Sequence, residues 1–319
     1  MGSAGYFPLI FKMNERTKAV ASIIACVLFW GFSFISIKIV GEVFPPMSQG
    51  FLRFAIALVL LFFFKMKLAP DEKLRGRDIP LLFGAGISGV TFYFFFENNG
   101  VFLVTASEAS IAIGAIPVLI MIADWVSGKI TRNKNSRHPK TGILQWTGAF
   151  ISIAGVWLVA GVSFSLSGSI RGYVFMAGAA LCWMIYSLLT RPLFDRCSRI
   201  YIVFWQSVAG FAGFIPFAAR EFRTWEMPGT AVIAHLVFLG VCCSAMGYFF
   251  YAHSLEVLGM SVSAIFINLI PLLTVIFGFF IMGDRLTFLQ CIGAALVIGG
   301  VYLSMFQKKN LRRGISKAA

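Results

Sequence analysis

Acidic side chains are scarce in this chain, with 13 Asp and Glu among 319 residues against 27 Lys and Arg, and charged residues of both signs make up only 13%. A chain so poor in charge, 59% hydrophobic and with a mean hydropathy of +0.85, lacks the polar surface that a water-soluble domain of this size needs. Histidine is rarer still, with three copies. His138 and His235 have no ligand-type neighbours at metal-binding spacing, so no metal is expected. There is no phosphate-cradling Gly-Lys-Ser/Thr loop, no helical His-Glu-His set and no nucleophile elbow, which argues against an ATP-driven pump and leaves no catalytic residue to name. No cofactor is expected, and the chain reads as no enzyme. Of six cysteines, Cys26, Cys182, Cys242, Cys243 and Cys291 lie inside apolar runs and Cys197 in a basic loop, so an exported disulfide framework is absent and all six read as small apolar residues.

What the sequence has in abundance is apolar runs of about 18 to 22 residues, the length a helix needs to cross roughly 30 Å of hydrocarbon. Ten are expected: Ala19 to Val40, Met47 to Phe64, Ile79 to Leu103, Ala106 to Val126, Ile143 to Gly161, Gly172 to Leu189, Tyr201 to Phe217, Ala231 to His253, Ser261 to Met282 and Phe288 to Phe306. The first run is as long as the rest and has no small-residue cleavage site after it, so it reads as a mature span. The lipid bilayer is the expected surroundings, and the fold class is all-α integral membrane.

The net charge of +14 could suggest nucleic acid, but the cations sit in short connectors between apolar runs and carry no binding motif. They orient the chain instead. Lys12, Arg16 and Lys18 precede the first span; Lys65, Lys67, Lys73, Arg75 and Arg77 follow the second; Lys129, Arg132, Lys134, Arg137 and Lys140 follow the fourth. Arg191, Arg196 and Arg199 follow the sixth, and Lys308, Lys309, Arg312, Arg313 and Lys317 the tenth. The opposite side has only Lys38, Arg171, Arg220, Arg223 and Arg285. The positive-inside rule then places both termini in the cytoplasm.

Two halves of the chain repeat. Aligning Pro117 with Pro271, a separation of 154 residues, brings Phe95, Phe96, Ser107, Ile111, Ile113, Ile116 and Leu119 onto Phe249, Phe250, Ser261, Ile265, Ile267, Ile270 and Leu273. Trp30 pairs with Trp183, and Gln145, Gly148 and Gly155 pair with Gln290, Gly293 and Gly300. Each half holds five spans, an odd number, so the second must enter the membrane with opposite polarity. The organisation expected is a short segment over 1–18, one repeat over 19–162, its inverted partner over 170–306 and a basic tail over 307–319. Inverted repeats are a recurring architecture of secondary transporters, with the site at the interface of the halves.

On these residues the sequence resembles the drug/metabolite transporter superfamily, and within it the EamA-type members. Trp30-Gly31, Pro117, Pro271, the Gly283-Asp284-Arg285-Leu286-Thr287 turn, Gly293 and Gly299-Gly300 carry the resemblance, which covers nearly the whole chain. It implies a ten-span transporter in two inverted halves that works by alternating access, and it implies export of amino acids, aromatic or apolar, or of related metabolites. Uptake or exchange of a more polar metabolite is the alternative within transport, and a non-transporting scaffold or receptor the alternative outside it. A small-molecule substrate is the expected partner, with protons the expected coupling ion and a monomer or weak homodimer the expected state.

Particular residues fit a central cavity built from the first, third, fourth, sixth, eighth and ninth spans. Trp30, Ser33 and Phe34 share one helical face, as do Trp183, Tyr186 and Ser187, mixing aromatic with hydroxyl where a lipid-facing stripe would be plain apolar; plain helix packing fits the same stripes. Tyr93 and Tyr248 join these as substrate-binding candidates. Asn268, three residues before Pro271, stands where Gly114 precedes Pro117, so it reads as a ligand contact; the two prolines read as gating points or as simple kinks. Glu97 and Glu108, in consecutive spans, are the proton-coupling candidates, unless both reach interfacial water. Arg53, inside the second span, either neutralises one of them or snorkels outward. His253 and Glu256 have the spacing of a surface helical pair.

Overall fold

The structure is a computed structural model that describes residues 14–104, 109, 113–130, 142–159, 169–282 and 287–306. Ten helices run through them: α1 (Glu15–Gly41), α2 (Pro46–Leu68), α3 (Ile79–Val101), α4 (Ile116–Ile130), α5 (Ile143–Val159), α6 (Ile170–Thr190), α7 (Arg199–Glu221), α8 (Thr230–Leu258), α9 (Met260–Ile267 continued by Leu269–Met282) and α10 (Phe288–Ser304). Apolar runs become helices here because lipid offers backbone groups no hydrogen bonds, and a helix satisfies all of its own except those at the ends. Side chains cap those ends. Asn14 accepts from the Arg16 N–H, Ser169 from Gly172 and Ser198 from Tyr201, while Thr287 and Gln290 form a reciprocal capping box. Pro46 and Pro80 stand in first turns, where no N–H is missed.

Six of these helices, α1, α3, α6, α7, α8 and the first 18 residues of α9, are long and apolar enough to cross a membrane. Shorter apolar stretches in α4, α5 and α10 join them. α2 is 23 residues long but carries Arg53 within it and Lys65 and Lys67 in its last turn. The fold is all-α integral membrane, ten transmembrane helices in two inverted five-helix repeats.

The repeat shows in details that hydropathy does not contain. α3 loosens into π-helical hydrogen bonding over Ile87–Phe92, and α8 does so over Leu239–Met246, the matching stretch of the other half. α5 and α10, the last helices of the two halves, cross at paired glycines. A Cβ added to Gly148 would lie 2.5 Å from the Gly300 carbonyl oxygen, and one added to Gly155 would lie 2.6 Å from that of Gly293. Only hydrogen in place of a side chain lets the two backbones approach this closely. Between α8 and α9 the chain turns at Gly259, whose φ of 87° is left-handed and suits glycine alone.

Candidate functional site

α9 is broken at Asn268, three residues before Pro271, because proline supplies no N–H to the carbonyls behind it. α4 likewise starts at Ile116, next to Pro117, after a turn at Ala115. These two broken helices face each other near the centre of the bundle. A Cβ on Gly114 would meet Val156 at 3.1 Å and the Asn268 side-chain oxygen at 3.7 Å. The Asn268 amide donates to the Ser152 hydroxyl at 2.6 Å, so it is a buried interhelical tie and is not among the cavity-lining residues.

Beside this break lies a cavity with about 480 Å³ of empty space, a figure that includes its open mouth. One wall is α1, through Trp30, Ser33, Phe34 and Ile37. Another is α3, through Tyr93, Phe94 and Glu97, with Arg53 of α2 beside it. Trp183 of α6 and Tyr248 of α8 contribute aromatic surface, and Ile113, Ile116, Ile267 and Ile270 complete the lining. These residues fall in the second half of α1, late in α3 and at the start of α4, so the cavity occupies the half of the bundle toward the face where α1 ends.

At its base the two repeat-related tryptophans meet. Trp30 and Trp183 pack edge to face with ring centroids 5.3 Å apart, so they do not stand on opposite sides of an open space. Each indole is also anchored, Trp30 to the carbonyl of Cys243 at 3.0 Å and Trp183 to the Tyr251 hydroxyl at 3.2 Å. Tyr93 and Tyr248 lie 5.0 and 5.7 Å from the Trp183 ring. The Ser33 hydroxyl donates to the Trp30 carbonyl at 2.7 Å, which leaves its oxygen free to accept.

Two charges are built into this wall. Arg53 is 3% exposed and Glu97 5%, so neither reaches the interface and the snorkelling alternative for Arg53 does not hold. The Arg53 guanidinium lies 4.4 Å from the Phe94 ring centre, and its Nε donates to Ser244 at 2.8 Å. Glu97 Oε1 accepts from the Tyr93 hydroxyl at 2.8 Å, while its Oε2 is buried with no hydrogen-bond partner. Glu108, the second coupling candidate, lies outside the described residues.

On the other side of the tryptophan layer the bundle is shut. Tyr186, Ser187, Thr190 and Tyr251 are all 0% exposed and Gln206 is 1% exposed. Ser187 donates to the Trp183 carbonyl at 3.0 Å, and Gln206 donates to Thr190 at 2.8 Å while its side-chain oxygen stays unpartnered. Farther along, Arg191 and Asp124 form an ion pair at 2.5 Å. The expected His253 to Glu256 pair does not form: His253 reaches the Ser22 hydroxyl at 3.0 Å and Glu256 bonds Arg199 at 2.9 Å, because neighbouring helices bring partners closer than the next turn does. Cys197, in the loop after α6, has its thiol pushed up to about 11 by burial, with Asp78 adding to it, which fits an inert thiol.

Tyr186, Ser187 and Asn268 thus stand outside the cavity, and Trp30, Ser33, Phe34, Tyr93, Glu97, Trp183 and Tyr248 within it. Phe94 carried no sequence signal, since Phe abounds in every span, and Ile113, Ile116, Ile267 and Ile270 showed only as matches of the repeat. Arg53 carried one: a lone cation in mid-span has to be explained by its surroundings.

The sequence profile of the EamA-like transporter family matches residues 17–161 and again 170–306. An uncharacterized transporter of Archaeoglobus fulgidus is 28% identical over 299 residues, covering 92% of this chain and 98% of its own. A protein of Streptantibioticus cattleyicolor named as a probable terminal-alkyne amino-acid exporter is 24% identical over 291 residues, covering 91% and 94%. A solved crystal structure superimposes with a TM-score of 0.72 at 18% identity, over 91% of this chain and 97% of that one, a likeness of fold.

Proposed function

We propose, for a chain that belongs to the EamA-like transporter family, secondary active transport of small organic metabolites, with amino acids of apolar or aromatic side chain as the exported solutes. One observation carries the reading. The cavity exists on one side of the Trp30 and Trp183 layer, and the repeat counterparts of five of its lining residues, Tyr186 for Ser33, Ser187 for Phe34, Thr190 for Ile37, Gln206 for Arg53 and Tyr251 for Glu97, are buried on the other side. In a protein of two inverted halves, exchanging the conformations of the halves closes the first set and opens the second. Polar groups such as Gln206 and Thr190, of no use to a permanently closed seam, then become the wall of the inward cavity.

Glu97 is the proton site in this scheme. It is hydrogen-bonded to Tyr93 and lines the same cavity as Arg53 and Tyr248, and a proton and a solute that both need its free oxygen compete for it, which ties export of one to entry of the other. A basic inside fits positive-inside placement of both termini in the cytoplasm of the inner membrane.

Accessibility tests the scheme. Cysteine at Ser33 is expected to react with a membrane-impermeant thiol reagent from outside and cysteine at Thr190 from inside, each slowing as the other speeds. Simultaneous reaction of both from either side would indicate a pore, and reaction of neither under any solute would indicate a scaffold.

A further inference from the structure

We infer that Arg53 and Glu97 form a two-point charge clamp that holds a zwitterion, Arg53 taking a carboxylate and Glu97 an ammonium group, with the aromatic floor taking the solute's apolar body. The inference rests on the transport reading above and adds the groups that recognise the solute. It starts from an expensive feature. A cation and an anion are both more than nine-tenths buried in one cavity, yet among the described residues they form no ion pair with each other or with anything else within 4.0 Å. Two opposite charges in a low-dielectric wall gain most by touching, and a side chain as long as arginine usually can.

Here each is restrained from doing so. Phe94 lies against the guanidinium and Ser244 binds its Nε, which leaves the terminal nitrogens with donors to spare. Tyr93 holds Glu97 by Oε1 and leaves Oε2 buried and unpartnered. The fork of a guanidinium matches a carboxylate, and a lone carboxylate oxygen matches an ammonium group. One molecule carrying both charges on adjacent carbons satisfies both sites, whereas a solute with a single charge leaves the opposite one buried and unpaired. The remaining lining is aromatic or isoleucine apart from Ser33, and the Tyr93 and Tyr248 hydroxyls donate within the protein, so the rest of the solute is apolar.

Three probes that share one aromatic body separate the two contacts: L-phenylalanine, phenylethylamine, which lacks the carboxylate, and 3-phenylpropionate, which lacks the ammonium. With full-length purified protein in lipid nanodiscs, titration calorimetry is expected to show L-phenylalanine binding at least roughly tenfold tighter than either analogue, the scale of one charged hydrogen bond. R53Q is expected to erase the advantage over phenylethylamine only, E97Q the advantage over 3-phenylpropionate only, and R53K to restore part of the first. Unliganded melting temperatures near wild type confirm that the variants fold. Equal affinities for the three probes, an unchanged order in both variants, or no binding of L-phenylalanine and L-leucine at all would overturn the clamp. The transport reading survives any of these results if the thiol accessibilities at Ser33 and Thr190 still alternate.

Discussion

The Tyr248 hydroxyl donates to the carbonyl of Gly89 at 2.8 Å, and so ties α8, just past its loosened turn, to the loosened turn of α3. The equivalent carbonyl of the second half, that of Cys243, accepts from the indole of Trp30 at 3.0 Å. π-type turns leave carbonyls without their usual helical partner, and an aromatic donor from the opposite half supplies one in each case. The two bonds thus sew the repeats together at the base of the cavity.

Removing one of them is expected to cost stability and leave the apolar wall intact. Tyr248→Phe should lower unfolding stability by about 0.5 to 1.5 kcal/mol, the net value of a hydrogen bond, with the ring contacts to Trp183 and Tyr186 retained. Thermal unfolding in detergent, followed by tryptophan fluorescence, measures it. A loss above about 3 kcal/mol would mean the hydroxyl does more than pair with Gly89.

Glycines of α5 and α10 provide a sharper contrast. Gly155→Ala places a Cβ 2.6 Å from the Gly293 carbonyl oxygen and must push the two helices apart, at a cost of about 1 to 3 kcal/mol. Gly299→Ala, one residue from Gly300, has nothing within 4 Å of the new Cβ and should be neutral or gain up to about 1 kcal/mol from helix propensity. Equal melting temperatures for the two variants would remove the close crossing from the account.

Ten spans, their inverted pairing and the aromatic and hydroxyl stripe of α1 were legible in the sequence because each is periodic: apolar length, constant offset, helical spacing. Tyr186 and Ser187 stand outside this cavity for a physical reason, and Asn268 does because Ser152 takes its amide. Ser33 and Phe34 line the site while their counterparts Tyr186 and Ser187 are buried beyond it, and a sequence records both without saying which half is open. The pairing of Trp30 with Trp183 was visible as a repeat match, but a match of position does not tell whether two rings stand apart or touch. Arg53 could be read only as a mid-span charge, because its partners Phe94 and Ser244 come from helices far along the chain.

The ion pair of Arg191 with Asp124 closes the face where α1 begins, and its repeat counterparts are Lys38 and Gly278, which cannot pair. Among the described residues, the closed seam therefore has a latch whose repeat counterpart cannot form on the cavity side. Asp124→Asn is expected to raise the rate of modification of a cysteine at Thr190 from inside several-fold, measured by mass spectrometry after timed labelling. An unchanged or lower rate would assign the pair to static packing.

Orientation is open to a direct check in a cysteine-free background. A cysteine at Arg223 should label with an impermeant maleimide on intact cells, and one at Lys73 only after the membrane is opened. The reverse pattern would invert the direction of export.

Gradient-driven flux tests the central claim. Proteoliposomes with an acidic lumen, given radiolabelled L-phenylalanine or L-leucine outside, are predicted to accumulate it above the external concentration as protons leave, to lose the accumulation when a protonophore is added, and to show none of it with Glu97→Gln. Accumulation that is no greater than in protein-free vesicles, or that persists unchanged in Glu97→Gln, would contradict the account.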